Sequence, residues 1–445
     1  MFSYRAAALA LIGLVLLLPG KAFSQEQLSL EQAIRIGLQN NYDIQIAGRQ
    51  EAISQNNVTL GNAGILPNID GRASRTFSEN NSRQEFNTGP DRVREGASSN
   101  NISYGVNLNW VIFDGLGMFI NLERLKTLEK SGELFTKQTV ENTVADIIAS
   151  YYEVARQSSK IKAIQDAIAI SEARAEIAQA QYEVGVSAKV EILRAQVDYN
   201  ADRSELLLQE EVLQNAKINL NQLLGRNPDT DFEVTDSIVV DPTVNYSLAA
   251  NNLQAANPLL QRLQLERQLA HLDIRSVRAR RFPTVTAQSA YNFSRSEAEP
   301  LNEFQARFNQ NRGYNYGLSL NVPIFNGFNL NRQAQNARIN LETADLEFRR
   351  EENRLQADLA RAYSQYANRL QLLELEESNV KLAQENAEIA LERYRLGILT
   401  AIELREAQRN ELVASNRLID IQFQAKSAEI ELKRLSSTLL QENRQ

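Results

Sequence analysis

Two hydrophobic periods divide the chain. Over residues 102–112 every second side chain is apolar: Ile102, Tyr104, Val106, Leu108, Trp110 and Ile112 alternate with Asn101, Ser103, Gly105, Asn107 and Asn109. Residues 314–324 follow the same rule, with Tyr314, Tyr316, Leu318, Leu320, Val322 and Ile324 set against Asn315, Gly317, Ser319 and Asn321. A period of two predicts strands with one apolar and one polar face. A weaker partner precedes each. Ile69, Gly71, Ala73 and Phe77 form one, with Arg75 on the apolar side; Val285, Ala287, Tyr291 and Phe293 form the other. Strands are therefore expected at about 68–78, 101–113, 284–294 and 314–325.

The second period is helical. Val140, Val144, Ile147, Tyr151, Val154, Ser158 and Ile161 recur at alternating spacings of four and three, a coiled-coil seam. Leu355, Leu359, Ala362, Tyr366 and Leu373 do similar work later. Pro is absent between Pro90 and Pro228 and again after Pro323. Gly185 is the only Gly between Gly132 and Gly225, and Gly397 the only one after Gly327. Without these breakers very long helices are open to the chain. A helix from Leu116 to Tyr182 would run about 100 Å. Shorter return helices are expected at Val190–Leu224 and Ile402–Leu435, and others at about Leu30–Ile65 and Leu248–Arg280.

The chain also contains itself twice. Asn41 and Pro67 correspond to Asn257 and Pro283 at a shift of 216. Tyr104-Gly105, Gly115, Tyr182, Gly185, Glu191 and Ala195-Gln196 correspond to Tyr316-Gly317, Gly327, Tyr394, Gly397, Glu403 and Ala407-Gln408 at a shift of 212. The lost four residues fall in a polar interval that reads as a surface loop. The expected organisation is a secretory signal over 1–24, a first repeat over 25–225, a linker over 226–247, a second repeat over 248–438 and a tail over 439–445. Arg5, the apolar run Ala6–Leu18 and Ala22-Phe23-Ser24 carry the signal reading, with cleavage before Gln25.

Composition removes several function classes. The net charge is −7, and it becomes more negative once Arg5 and Lys21 leave, which argues against nucleic acid as a partner. With no Cys and one His (His271), neither a disulfide nor a nucleophile or metal cluster is expected. No catalytic residue, cofactor or metal is assigned.

Four amphipathic strands cannot close a membrane barrel, which needs about eight or more, and an open edge in lipid leaves backbone groups unpaired. Sharing strands among identical chains solves this. Three chains would close a twelve-stranded ring with its polar face to water and its apolar face to lipid. Trp110, Phe113, Tyr291, Tyr314 and Phe325 are candidates for an aromatic girdle. A soluble two-sheet sandwich with coiled-coil arms is the plainer alternative.

Specific segments resemble the TolC-like outer-membrane factors: Asn257-Pro258-Leu259-Leu260, Leu66-Pro67 and Phe282-Pro283, Ile112-Phe113-Asp114-Gly115 and Ile324-Phe325-Asn326-Gly327, and the tips Tyr182-Glu183-Val184-Gly185 and Tyr394-Arg395-Leu396-Gly397. The resemblance covers the mature chain. It implies a mainly α fold with a β-barrel portion: four strands per chain in a twelve-stranded trimeric barrel, and antiparallel coiled-coil helices forming an α-helical tunnel through the periplasm. The implied function is a passive outer-membrane channel of a tripartite efflux pump or type I secretion system. The implied partners are two further copies of the chain (a homotrimer), outer-membrane lipid, a periplasmic adaptor (membrane fusion protein) and an inner-membrane pump of the RND, ABC or MFS class. A periplasmic adaptor, a structural envelope protein and a general porin are the competing readings.

At the tips, Gly185 with Val186, Ser187 and Ala188, and Gly397 with Ile398, Leu399 and Thr400, are the candidate adaptor-docking residues. The competing reading is a turn that only reverses the chain. Glu403 and Glu406 share one helix face, and the resemblance implies that they ring the narrow periplasmic aperture. The alternative is a pair of solvated glutamates bonded to Arg405 or Arg409. The resemblance also implies that Glu191 bonds Tyr394 in a closed entrance. The family's basic residue two places after the second tip Gly is here Leu399.

Overall fold

The computed structural model describes residues 26–298 and 306–442, so the expected leader and its cleavage site lie outside the described residues. The elements run β1 (Glu26–Leu28), α1 (Leu30–Asn40), α2 (Tyr42–Asn56), α3 (Leu60–Ala63), β2 (Asn68–Gln84), β3 (Arg92–Phe113), α4 (Gly117–Glu183) and α5 (Lys189–Leu223). There follow β4 (Phe232–Val234), α6 (Tyr246–Ala256), α7 (Pro258–Ala279), β5 (Thr284–Ala298), β6 (Phe308–Asn321), α8 (Asn329–Arg395), α9 (Ala401–Leu435) and α10 (Leu439–Glu442). Among the described residues no helix is long and apolar enough to cross a membrane. Two compact units form, each drawing on both halves of the sequence. One holds residues up to 45, 139–257 and 355 onward; the other holds 46–138 and 258–354.

In the first unit the predicted seam is the core. Val144, Ile147, Tyr151 and Val154 of α4 are buried against Leu28, Leu220, Leu224 and Phe232. Each such aliphatic side chain contributes roughly 1.5–3 kcal/mol by leaving water. The Tyr151 hydroxyl donates to the Leu28 carbonyl at 2.9 Å and lies 2.6 Å from Asp236 Oδ2. In the later half Leu355, Leu359, Ala362 and Tyr366 of α8 are buried likewise.

The helix expected over Leu30–Ile65 is instead three: residues 57–59 part α2 from α3, and α1 is parted from α2 by Asn41 in an extended conformation (φ −60°, ψ 129°). Its side-chain Oδ1 accepts from the N–H groups of Asp43 and Ile44 at 2.9 and 3.1 Å, capping α2, while its amide donates to the Leu223 carbonyl at 2.8 Å. Asn257 breaks α6 from α7 in the same way and donates to the Leu435 carbonyl at 3.1 Å. There the following Pro258 also disfavours helix at residue 257.

The second unit carries a four-stranded antiparallel sheet of order β2-β3-β5-β6. The alternation holds: Tyr104, Val106, Trp110 and Ile112 are exposed on one face, as are Tyr291, Tyr314, Tyr316, Leu318 and Leu320. Two boundaries differ from expectation. The polar interval read as a loop extends the first hairpin to Gln84 and back from Arg92, with an irregularity between Asn80 and Ser82; the ladder needs only backbone groups, so polar side chains on both faces do not end it. In contrast β6 begins early, at Phe308, and stops at Asn321. Pro323 has no N–H to continue the ladder, so Val322–Phe325 leave the sheet. At both strand-to-helix exits two successive residues are left-handed, Gly115–Leu116 and Gly327–Phe328; for Leu and Phe this costs about 1–3 kcal/mol.

Candidate functional site: the helical-hairpin tips

The helices of each hairpin are joined by a five-residue turn built around one Gly. Gly185 N–H donates to the Tyr182 carbonyl and Val186 N–H to the Gln181 carbonyl, both at 2.9 Å. Gly397 and Ile398 make the same two bonds to Tyr394 and Arg393 at 3.0 and 2.9 Å. This double closure requires a left-handed residue, and φ is +78° at Gly185 and +72° at Gly397. A Cβ at either position would touch nothing within 4 Å. Backbone conformation alone selects glycine there.

Beyond the turns the hairpins differ. α5 starts at Ala188 with no side-chain cap. α9 starts with a capping box: Thr400 Oγ1 accepts from Glu403 N–H at 3.4 Å, and Glu403 Oε2 accepts from Thr400 N–H at 2.9 Å. The Thr400 hydroxyl also donates to Glu403 Oε2 at 2.7 Å, and this bond together with that from the Thr400 N–H holds the exposed Glu403 carboxyl below the usual range. Glu406 is exposed. Neither glutamate has taken Arg405, which instead grips Asp202 of α5 with two bonds of 2.7 and 2.8 Å.

The apolar tip residues face solvent. Val186 and Ile398 are 76% and 64% exposed, and Ala188 and Thr400 are exposed too. Ser187 is half-buried. Leu399 turns inward, packing against the cluster of Tyr394, Leu404 and Ala407 with Ile177 of α4. Val184, Leu396 and Ile402, which are not among the docking candidates, are strongly exposed as well; for Val184 and Leu396 the apolar character next to each Gly was the available signal. Glu191 accepts from Arg194 at 3.0 Å. Tyr394 is buried, which pushes its hydroxyl pKa up; the charge of Arg174 opposes this and that of Glu191 adds to it.

Above the tips an ionic cluster replaces the apolar seam. Arg174 of α4, 2% exposed by its side chain, pairs with Asp198 of α5, and Asp198 also lies 3.9 Å from Arg405 of α9. The Asp202 bonds hold the Arg405 guanidinium still more firmly protonated than usual. The pair joins the first hairpin to the second. Farther up, burial raises the Glu411 carboxyl pKa, and the negative charges of Asp166 and Glu388 add to the shift. Among the described residues no group of His, Cys, Asp and Glu is arranged to hold a metal ion.

The family model described as outer membrane efflux protein matches residues 33–226 and 249–438. Protein CyaE of Bordetella pertussis is 23% identical over 350 residues, covering 78% of this chain and 70% of that protein. The outer membrane efflux protein BepC of Brucella suis is 20% identical over 412 residues, covering 92% and 84%. Among solved structures, the Campylobacter jejuni CmeC outer membrane channel superposes with a TM-score of 0.75 at 14% identity, covering 93% of this chain and 89% of that one. BepC is thus an outer membrane efflux protein and CmeC an outer membrane channel. A sheet with an exposed apolar face, long paired helices and a model match over most of the sequence agree: this chain is an outer-membrane efflux channel and belongs to the outer membrane efflux protein family.

Proposed function

We propose that the chain works as a homotrimer, the passive exit duct of a tripartite efflux pump or type I secretion system. The observation that carries this is the sheet. Its four strands expose large apolar side chains on one face, and β2 and β6 are left as edges among the described residues. An open edge beside lipid is costly; three copies supply twelve strands and remove all edges. An internal duplication is supported by two 67-residue helices, α4 and α8, and two 35-residue return helices, α5 and α9.

The exposed Val186 and Ile398 support docking of the tips on a periplasmic adaptor that receives substrate from an inner-membrane pump, since apolar tips favour a covered state. Glu403 and Glu406 would then line the aperture of three chains and favour cations. Light scattering of detergent-purified protein is expected to give three times the mass of the processed chain (the full chain of 50.1 kDa less its leader), and a single-chain mass overturns the reading. The chain has no Cys, so Val186→Cys and Ile398→Cys provide single cross-linking sites. Absence of adaptor cross-links from both positions removes tip docking.

A further inference from the structure

The exposed apolar face of the sheet is interrupted by three arginines. The strand register puts Arg75 of β2 opposite Ile102 of β3, Ile102 opposite Arg295 of β5, and Tyr104 opposite Phe293, whose β6 partner is Arg312. Side chains at these positions all project from the face that carries Val106, Tyr291 and Tyr314, since residues two apart share a face. The guanidinium groups thus occupy two adjacent rungs across the sheet. All three arginines are exposed.

The height of this row is informative. From the Val285–Leu320 rung, at the edge where the strands meet the helices, to the Arg295 rung is ten residues. That is about 34 Å along the strand, or roughly 26 Å along the membrane normal at a tilt of about 40°. An outward apolar band is about 25 Å tall. The row therefore falls where hydrocarbon gives way to headgroups, at the end carrying the hairpin turns. With the helices in the periplasm, that end meets the outer leaflet.

The row is also prepared for anions. Phe77 and Phe308, one rung farther out, lie under Arg75 and Arg295 at 4.4 and 5.2 Å, stacking that holds each guanidinium in place. Arg75 donates through Nε to Asn100 at 3.2 Å and keeps its outer nitrogens. Arg295 is shared with Glu297. Arg312 has no ion-pair partner among the described residues. Guanidinium forks match phosphate oxygens in pairs.

We propose that Arg75, Arg295 and Arg312 form a docking row for the phosphates of an anionic glycolipid in the outer leaflet. This rests on the barrel reading, from which the leaflet assignment comes. The phosphates sit on the row, and the acyl chains lie along Tyr104, Tyr291 and Tyr314. Three copies surround the barrel with the same row.

The test uses the full chain reconstituted in phosphatidylcholine vesicles containing a phosphorylated or a dephosphorylated lipid A-type glycolipid, with glycolipid retained by the extracted trimer counted by native mass spectrometry. The triple variant Arg75→Gln, Arg295→Gln, Arg312→Gln is expected to lose at least about tenfold in occupancy of the phosphorylated glycolipid. Arg72→Gln, on the polar face, is expected to leave occupancy unchanged. Retention within twofold by the triple variant, an equal fall in Arg72→Gln, equal binding of the dephosphorylated glycolipid, or displacement by millimolar inorganic phosphate each overturns the proposal. Protease protection in the same vesicles separates the two readings: a chain that inserts normally yet ignores glycolipid phosphate refutes the row alone, and a chain that never inserts refutes the barrel and the row with it.

Discussion

Replacing Arg405 by Met keeps much of the side-chain packing and leaves Asp202 without its partner. The cost lies between two limits. Exposed pairs contribute below about 1 kcal/mol, and breaking a fully buried pair costs about 3–5 kcal/mol. The Asp202 side chain is 11% exposed and that of Arg405 31%, which places the loss near 2 kcal/mol. Asp198 lies one turn before Asp202 on the same helix, so the variant also uncovers a repulsion that Arg405 now masks. Because α5 and α9 belong to different hairpins, the loss is expected as local opening at the tips rather than global unfolding. Two kcal/mol corresponds to roughly 30-fold faster amide exchange. Hydrogen-exchange mass spectrometry of the detergent-solubilised protein, over residues 195–205 and 400–410, reads it directly. Adding Asp202→Leu is expected to bring exchange back to within about threefold of the parent, since a joint apolar replacement removes the uncompensated charge. If Arg405→Met alone changes exchange by less than about threefold, the pair does not fasten the hairpins and the reasoning is refuted.

Three further outcomes are expected. Leu at Gly185 or Gly397 forces a branched residue into left-handed backbone at about 1–2 kcal/mol; trimers should still insert while export is lost, and normal export in a transport assay counts against tip docking. Glu403→Ala with Glu406→Ala should reduce cation preference in single-channel recordings, whereas Glu403→Gln, which keeps an acceptor for the capping box, should separate lost charge from a frayed α9; unchanged selectivity removes the acidic ring. Glu411 has a raised folded pKa, so the local stability it contributes is fully present below the ordinary glutamate value of about 4.3 and is lost as pH rises through the higher folded value. Glu411→Gln should accordingly slow exchange in this part of α9 at pH 7 and change nothing near pH 4, and an equal effect at both pH values excludes the assigned cause.

The long helices were legible because their seams obey one period for many turns and their ends carry glycine. The predicted Leu116–Tyr182 helix is observed as Gly117–Glu183. The sheet faces were legible from alternation, down to Arg75 on the wrong side. The break at Asn257 is announced by Pro258, but nothing local announces the same break at Asn41, whose partner is the distant Leu223 carbonyl. Strand ends were obscured where both faces are polar, as beyond Ser78. Arg174 did leave a trace, since it stands between the buried Ser171 and Ala178 at seam spacing. Its partner Asp198 left none, because ion pairing across helices has no period. The capping box was written in Thr400 and Glu403, yet its carboxylate has a second use in the aperture reading, and local sequence does not rank the two.

The two asparagine bolts have a consequence for the order of assembly. Asn41 is separated by 182 residues from the carbonyl that secures it, and Asn257 by 178. At roughly 5–20 residues per second of synthesis, each amide waits on the order of 10–40 s for the far end of its own return helix to exist. For most of the first delay the β2–β3 hairpin, with its greasy face and unpaired rims, has been made before the β5 strand that pairs with β3. The first half thus waits on the second for its sheet partner, and the two helical bolts are set one after the other as each return helix emerges.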